Sequence, residues 1–288
     1  MATTSGQANI RGIDVDKLAK GFAEEENVFK NFLTISSTGA REMRWYQKTA
    51  GFLDSTDTTG ITASQIYNVA PGALPEVVEA SWSRMTSYVK KYFVESPWLT
   101  FEDIADSDID VLATNVRDLT RAVARQVDYR IFDVLSGSCL LSGSATAGWS
   151  VVASCNPILD LLSGSVEIRK QSYDISNLVV LMHPNEYKGL MNYIITTKGS
   201  SIPAFSSSKV ESGVLLQILG QRIVVSANAT AGLVLQIVPQ RAATWKTFTP
   251  ITAQTKDEIG IGTKIRVWEE GEVEFTDPNA VFLTKGCA

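Results

Sequence analysis

Histidine is nearly missing from this chain: His183 is the one copy in 288 residues. A single imidazole excludes multi-histidine metal centres and leaves one candidate for imidazole acid/base work. Cysteine is scarce too. Cys139, Cys155 and Cys287 are odd in number, far apart and without a C-x-x-C spacing. They indicate neither a disulfide framework nor a structural zinc and read as buried or incidental thiols. Long apolar runs are absent. Leu178 to Met182 is short, and Val214 to Ala227 is broken by Gln217, Gln221 and Arg222, so neither reaches the ~18 residues of a bilayer-spanning helix. Residues 1–11 hold no apolar signal core, and the Asn228-Ala229-Thr230 sequon lacks a secretory context. A basic excess is also missing. Lys plus Arg number 26 against 31 Asp plus Glu, a formal charge of −5, which argues against a bulk electrostatic grip on nucleic acid. The expectation is a soluble chain made in the cytoplasm.

What is present is an ordinary globular composition, 44% apolar and 20% charged, long enough for one large domain or two interleaved ones. Residues 1–12 read as a tail. Leu18, Phe22, Phe29 and Phe32 predict a helix from Asp14, broken at Ser36 to Gly39. Arg41 to Thr49 reads as a short amphipathic piece, with Arg41, Arg44 and Lys48 as the solvated face of a helix beside Trp45 and Tyr46. Residues 50–81, rich in Gly, Ser, Thr, Asp and Pro, have few periodic apolar positions and suggest disorder or an arm completed by another chain. Ser87 to Val94 predicts one strand. The strongest periodic signal follows. Leu112, Val116, Leu119, Val123, Val127, Ile131 and Val134 step by three or four residues, which predicts a helix of roughly 40 Å. Arg117, Arg121, Arg125 and Arg130 share its polar face, acidic residues crowd its start, and Gly137 stops it.

Ser136 to Ser154 reads as a Ser/Gly-rich crossing. A helix is predicted over Pro157 to Arg169 with Ile158, Leu161, Leu162 and Val166 on one face. A buried strand over Asn177 to Met182 follows, then a helix from His183-Pro184 carrying Tyr187, Leu190, Met191 and Ile194. Residues 199–209 are Ser-rich. The remainder alternates as strands: Val214 to Leu219, Arg222 to Ser226, Leu233 to Val238, Ala243 to Phe248, Lys264 to Trp268, Glu272 to Phe275 and Ala280 to Leu283. Helices first, one mixed block, then strands predict an α+β fold.

Motifs that carry chemistry are few. No phosphate loop and no G-x-S-x-G elbow occur. Gly260-Ile261-Gly262 begins a dinucleotide fingerprint, but Ile265 replaces its third glycine. Asp106-Ser107-Asp108-Ile109-Asp110 imitates a calcium loop, but Val111 and Arg117 stand where Gly and Glu are required; helix N-terminal charge explains the cluster. His183 reads as a hydrogen-bonded junction residue. The Arg41, Arg44, Trp45, Tyr46 and Lys48 patch mixes residue types as single-strand binders do, yet a solvated face accounts for it. No catalytic residue, cofactor site or metal site is assigned, and an enzyme is not expected.

Four segments, in order, resemble a known family. Leu99-Thr100-Phe101-Glu102-Asp103-Ile104-Ala105-Asp106-Ser107 looks like the lead into a spine helix, and Ala122 to Phe132, with its Asp128, looks like the spine. Val180-Leu181-Met182-His183-Pro184-Asn185-Glu186-Tyr187 resembles the strand-to-helix step of an axial domain. Phe275-Thr276-Asp277-Pro278-Asn279-Ala280-Val281 resembles the closing strand of a peripheral domain. The family is the major capsid proteins of tailed double-stranded DNA viruses, with the Hong-Kong-ninety-seven-like (Johnson) fold. The resemblance implies an N-terminal arm (1–50), an extended loop (51–95), a peripheral domain (96–150 and 240–288) and an axial domain (151–239). It implies self-assembly into pentamers and hexamers of an icosahedral shell around double-stranded DNA held without sequence-specific binding. Partners would be further copies, a separate scaffold or none, a portal and decoration proteins, with no membrane. Location would be the virion, and the host cytoplasm before assembly.

Inter-subunit contacts are expected from Phe52, Leu53, Ile61, Ile66, Tyr67, Trp82, Arg84, Lys90, Lys91, Arg117, Arg121 and Arg125. Lys90, Lys91 and Asn279 are of the types that some members join in an isopeptide bond, without a spacing that sets a pair. The alternatives are an encapsulin shell holding cargo enzyme, which the Asp14 to Phe32 helix would suit, and, more remotely, a soluble enzyme.

Overall fold

A computed structural model describes residues 19, 28–50, 71–72, 81–106, 111–198 and 217–288. Strand β1 (Thr34–Ser37) runs parallel to β11 (Ala243–Glu258), which forms a long antiparallel hairpin with β12 (Gly262–Phe275); β4 (Lys90–Glu95) completes the order β1-β11-β12-β4, with the short β5 (Leu99–Thr100) also on β12. A separate two-stranded ribbon pairs β2 (Glu42–Ala50) with β3 (Ser81–Tyr88). A second sheet has the order β6-β13-β10-β7-β9-β8, from β6 (Leu141–Ser144), β7 (Val179–Met182), β8 (Gln217–Ile218), β9 (Gln221–Val225), β10 (Leu233–Ile237) and β13 (Val281–Lys285). Helices α1 (Phe101–Asp106), α2 (Val111–Ser138), α3 (Pro157–Lys170) and α4 (Pro184–Tyr193) complete the set. The α+β expectation holds.

Helix α2 has 28 residues, about 42 Å at 1.5 Å per residue. Its periodic stripe packs on both sheets. Leu112, Val116 and Val123 meet Ile251, Ala253, Ile265 and Val267 of the β11–β12 hairpin. Val127, Ile131, Phe132 and Leu135 meet Leu181, Leu235, Ile237 and Leu283 of the six-stranded sheet, with Trp245 and Phe275 in the same cluster. One helix thus ties two sheets together, and burial of its stripe drives the union. The opposite face of the six-stranded sheet is covered by α3 and α4 through Leu161, Leu190 and Tyr193, together with Trp149 from the segment before α3. Local sequence sets both helix starts. Asn156 Oδ1 accepts from Leu159 N at 3.3 Å ahead of Pro157, and His183 Nδ1 accepts from Asn185 N at 3.2 Å ahead of Pro184, each a cap followed by a proline that needs no N–H partner. The junction role expected for His183 is the one it fills.

Several segments differ from expectation. Arg41 to Thr49 contributes a strand, because Met43 and Gln47 point inward while Glu42, Arg44 and Tyr46 alternate outward. Ser87 to Val94 is split between β3 and β4 at Val89, whose N–H donates to Arg41 O at 2.9 Å. Ser136 to Ser154 is more than a crossing: β6 pairs with β13, and Trp149 is fully buried with its indole donating to Asp160 at 2.9 Å. The strands expected at 264–268 and 272–275 are one strand, and β11 runs on to Glu258. Gly262 ends the turn where an added Cβ would lie 2.0 Å from Leu99 O, so the hairpin requires glycine there. In α3 the buried face is Leu161, Gly164, Ser165 and Ile168, whereas Leu162 and Val166 are exposed. Of the helix expected from Asp14 to Phe32, Ala19 is helical and Lys30–Phe32 is a 3-10 turn. Val28 and Phe29 lead into that turn without regular helix, and the rest of the segment lies outside the described residues, as do residues 199–209 and Asp108 to Asp110.

Candidate assembly surface

Four of the buried carboxylates among the described residues converge on one strand. Glu269, Glu270, Glu272 and Glu274 of β12 are all buried. Buried carboxylates must be paired to persist, and each of these has a cation from another element. Lys30 Nζ bonds Glu269, which also accepts from Trp245 Nε1 at 3.2 Å. Arg41 and Lys91 stand 3.3 and 3.7 Å from Glu270. Arg130 and Lys90 stand 3.0 and 3.4 Å from Glu272. Lys246 stands 3.5 Å from Glu274. The strand therefore fastens the chain before the ribbon (Lys30, Arg41), the chain after it (Lys90, Lys91) and α2 (Arg130). Tyr92, against this group, has its phenol pushed up by burial and by the Glu272 carboxylate.

A second clamp holds the same N-terminal stretch. Asp128 of α2 accepts from Val28 N at 2.8 Å, Phe29 N at 3.1 Å and Lys30 N at 3.4 Å. Burial pushes its carboxyl up to about 6, against the opposing pull of those three amides and the Asn228 side chain. Because the folded value lies above the ordinary 3.8, the folded chain binds the extra proton. The stability linked to that proton is present below pH 4 and is lost as pH rises through 6. In thermal melts, the stability of the wild type relative to Asp128→Asn should therefore rise by about 2 kcal/mol between pH 7.5 and 4.5. A constant difference across that range would exclude the linkage.

So fastened, the ribbon presents two unlike faces. On the inner face Met43 and Gln47 are buried, and the Trp45 indole and Gln47 amide both donate to Phe275 O, at 2.9 and 3.2 Å. A groove of about 360 Å³ runs between this face and the end of α2, lined by Trp45, Met85, Arg130, Val134 and Phe275. The outer face, fixed by the register Glu42↔Tyr88 and Tyr46↔Arg84, carries Tyr46 (65% exposed), Trp82 (60%) and Tyr88 (65%). Arg44, bonded to Glu42 at 2.6 and 2.8 Å, and exposed Arg84 lie among them. Tyr, Trp and Arg are the residue types that dominate binding energy at protein interfaces.

The profile of a family described as phage capsid protein matches residues 84–286. The chain belongs to that family. No curated protein matches. Among solved structures, the Mycobacterium phage Che8 structure is similar at a TM-score of 0.65, with 15% identity over 90% of each chain. The capsid of cyanophage P-SCSP1u is similar at 0.65, with 12% identity over 90% of this chain and 88% of that one. The virus-like particle from Pyrococcus furiosus is similar at 0.64, with 10% identity over 95% and 98%. At such identities these structures show the fold, which is the Hong-Kong-ninety-seven-like capsid fold, and the family match carries the function: a phage capsid shell protein, self-associating and located in the virion. The encapsulin alternative has no better support.

In this phage capsid protein the residues expected at subunit contacts fall into four groups. Phe52, Leu53, Ile61, Ile66 and Tyr67 lie outside the described residues. Trp82 and Arg84 are brought together with Tyr46 and Tyr88 on the outer ribbon face, while Lys90 and Lys91 turn to their own β12 carboxylates. Arg117, Arg121 and Arg125 share one side of α2, with Arg117 and Arg125 exposed and Arg121 half-buried. Arg130, expected beside them, instead pairs with Glu272 and with Asp133 at 3.0 Å. Asn279 is buried. Sequence reasoning missed the four β12 carboxylates; the alternation Glu270, Glu272, Glu274 signals a strand but not the burial of its carboxylates. Cys155 and Cys287 are buried and Cys139 is half-buried; burial pushes the Cys287 thiol up to about 12. Among the described residues no group of His, Cys, Asp and Glu is placed to hold a metal ion, and no helix is long and apolar enough to cross a membrane.

Proposed function

We propose that this chain is the major capsid protein of a tailed double-stranded DNA virus, building pentamers and hexamers of an icosahedral shell. The supporting observation is the ribbon, an aromatic and arginine face held out by a buried charge cluster, in a chain of the phage capsid protein family. Residues 1–50 would serve as the arm, 51–95 as the extended loop over a neighbour, 96–150 and 240–288 as the peripheral domain and 151–239 as the axial domain. The ribbon straddles the arm–loop boundary, with β2 before it and β3 after it.

Packaged DNA would be enclosed without sequence-specific contacts, consistent with a net charge of −5. A separate scaffold, a portal and decoration proteins would be the further partners, the host cytoplasm would hold the subunit before assembly, and the chain would carry no enzymatic activity. Electron microscopy of the purified protein tests the reading. Closed regular shells are expected, packed with genome and bearing a tail vertex when taken from virions; an enzyme-loaded shell would favour the encapsulin alternative, and small monodisperse particles would overturn both. Deleting residues 54–78 should leave a folded subunit that builds no stable shell, since that stretch supplies few periodic apolar residues to a core of its own. Normal shell yield from the deletion would refute the loop's role.

A further inference from the structure

Helix α3 is apolar on two opposite sides. Leu161, Gly164 and Ile168 face the six-stranded sheet. On the far side Leu159 (46% exposed), Leu162 (44%) and Val166 (44%) follow at spacings of three and four residues, forming a stripe about 10 Å long. A contiguous exposed apolar stripe opposite the buried face marks an interaction surface.

The second observation lies at the other end of the same sheet. The turn between β8 and β9 consists of Leu219 and Gly220, with φ of 52° and 77°. Two successive left-handed residues in a two-residue hairpin make a type I′ turn, the position where Asn-Gly or Gly-Gly is favoured. Leucine is strained in that conformation, and here it is also 48% exposed. Within the subunit this leucine has both a conformational and a solvation cost. Strain held at a surface points to a role outside the subunit.

The two features are placed to meet between copies. Helix α3 lies over β6, β13 and β10, and β8 is the opposite edge strand in the order β6-β13-β10-β7-β9-β8. From β13 to β8 is four strand spacings, about 19 Å, so one subunit cannot join them, whereas a head-to-tail neighbour can. Their levels agree as well. Gln236 Nε2 donates both to Leu161 O at 2.8 Å and to Gln221 Oε1 at 2.6 Å, so the part of α3 that carries Leu159 and Leu162 is level with the start of β9, next to the turn. Head-to-tail contacts between two different faces are what close a ring of identical copies.

We propose that the β8–β9 turn of one copy, led by Leu219, seats on the Leu159, Leu162 and Val166 face of α3 in the next copy. The proposal rests on the chain being a shell protein. Leu219→Asn suits the type I′ turn better than the native residue, so the subunit's melting temperature should hold or rise, while the protein concentration needed for shell assembly should rise at least 10-fold. A purely structural role for Leu219 gives no such split. In an independent measurement, Leu219→Cys combined with Val166→Cys should yield a reducible ladder of linked subunits after mild oxidation of shells, and neither single variant should. Wild-type assembly in the same preparation separates the two readings. If wild-type shells form but Leu219→Asn assembles at the wild-type concentration, or the double variant gives no ladder, this docking is wrong and the shell assignment stands. If the wild type forms no shells, the shell assignment itself falls, and the proposal with it.

Discussion

Replacing Lys30 with Met should destabilise the folded subunit by about 3–5 kcal/mol, the range for stranding one partner of a buried ion pair. Glu269 is fully buried, and its described partners are Lys30 and the Trp245 indole. Without the ammonium, the carboxylate retains one neutral donor in a site closed to water. It must then ionise at high cost or take up a proton. A fall in melting temperature on the order of 10 °C is expected by calorimetry. The decisive comparison is the double variant Lys30→Met with Glu269→Gln. It removes both charges and keeps an acceptor for the Trp245 N–H, so most of the lost stability should return. If the double variant melted no higher than the single one, the damage would lie in packing of the Lys30 stem and not in the orphaned charge.

Truncating the outer ribbon face should separate assembly from folding. Trp82→Ala and Tyr88→Ala remove exposed rings that carry little of the subunit's own stability, so each melting temperature should stay close to wild type. A central aromatic at an interface is worth about 2 kcal/mol or more, or about 30-fold in one contact. The contact recurs in every copy, so the concentration at which shells appear by light scattering should rise by at least that factor. An unchanged threshold with either variant would remove the ribbon face from the set of subunit contacts.

Helix α2 was legible because its information is local. A stripe from Leu112 to Val134 declares both its conformation and its buried side, and the structure buries it against two sheets. The β12 carboxylates were not legible, because what makes them tolerable is remote: Lys30 lies 239 residues from Glu269, and Arg130 lies 142 from Glu272. Read alone, Glu269-Glu270-Gly271-Glu272-Val273-Glu274 promises solvent. Helix α3 was misread for a different reason. Its two apolar sides summed into a single apparent face, and no local rule says which side meets the sheet and which is left outside. The ribbon was present as a period of two in Met43, Trp45 and Gln47, hidden by the conspicuous Arg41, Arg44 and Lys48. Of the expected contact residues, Trp82 and Arg84 fell on the exposed outer face through their parity in β3.

Strand β13 lies between β6 and β10, not at an edge. It is also translated after every other strand described. Until residues 281–285 leave the ribosome, β6 has no neighbour and α3 lacks the surface on which Phe282 and Ile168 meet. A nascent chain therefore cannot close the six-stranded sheet before residues 281–285 are made.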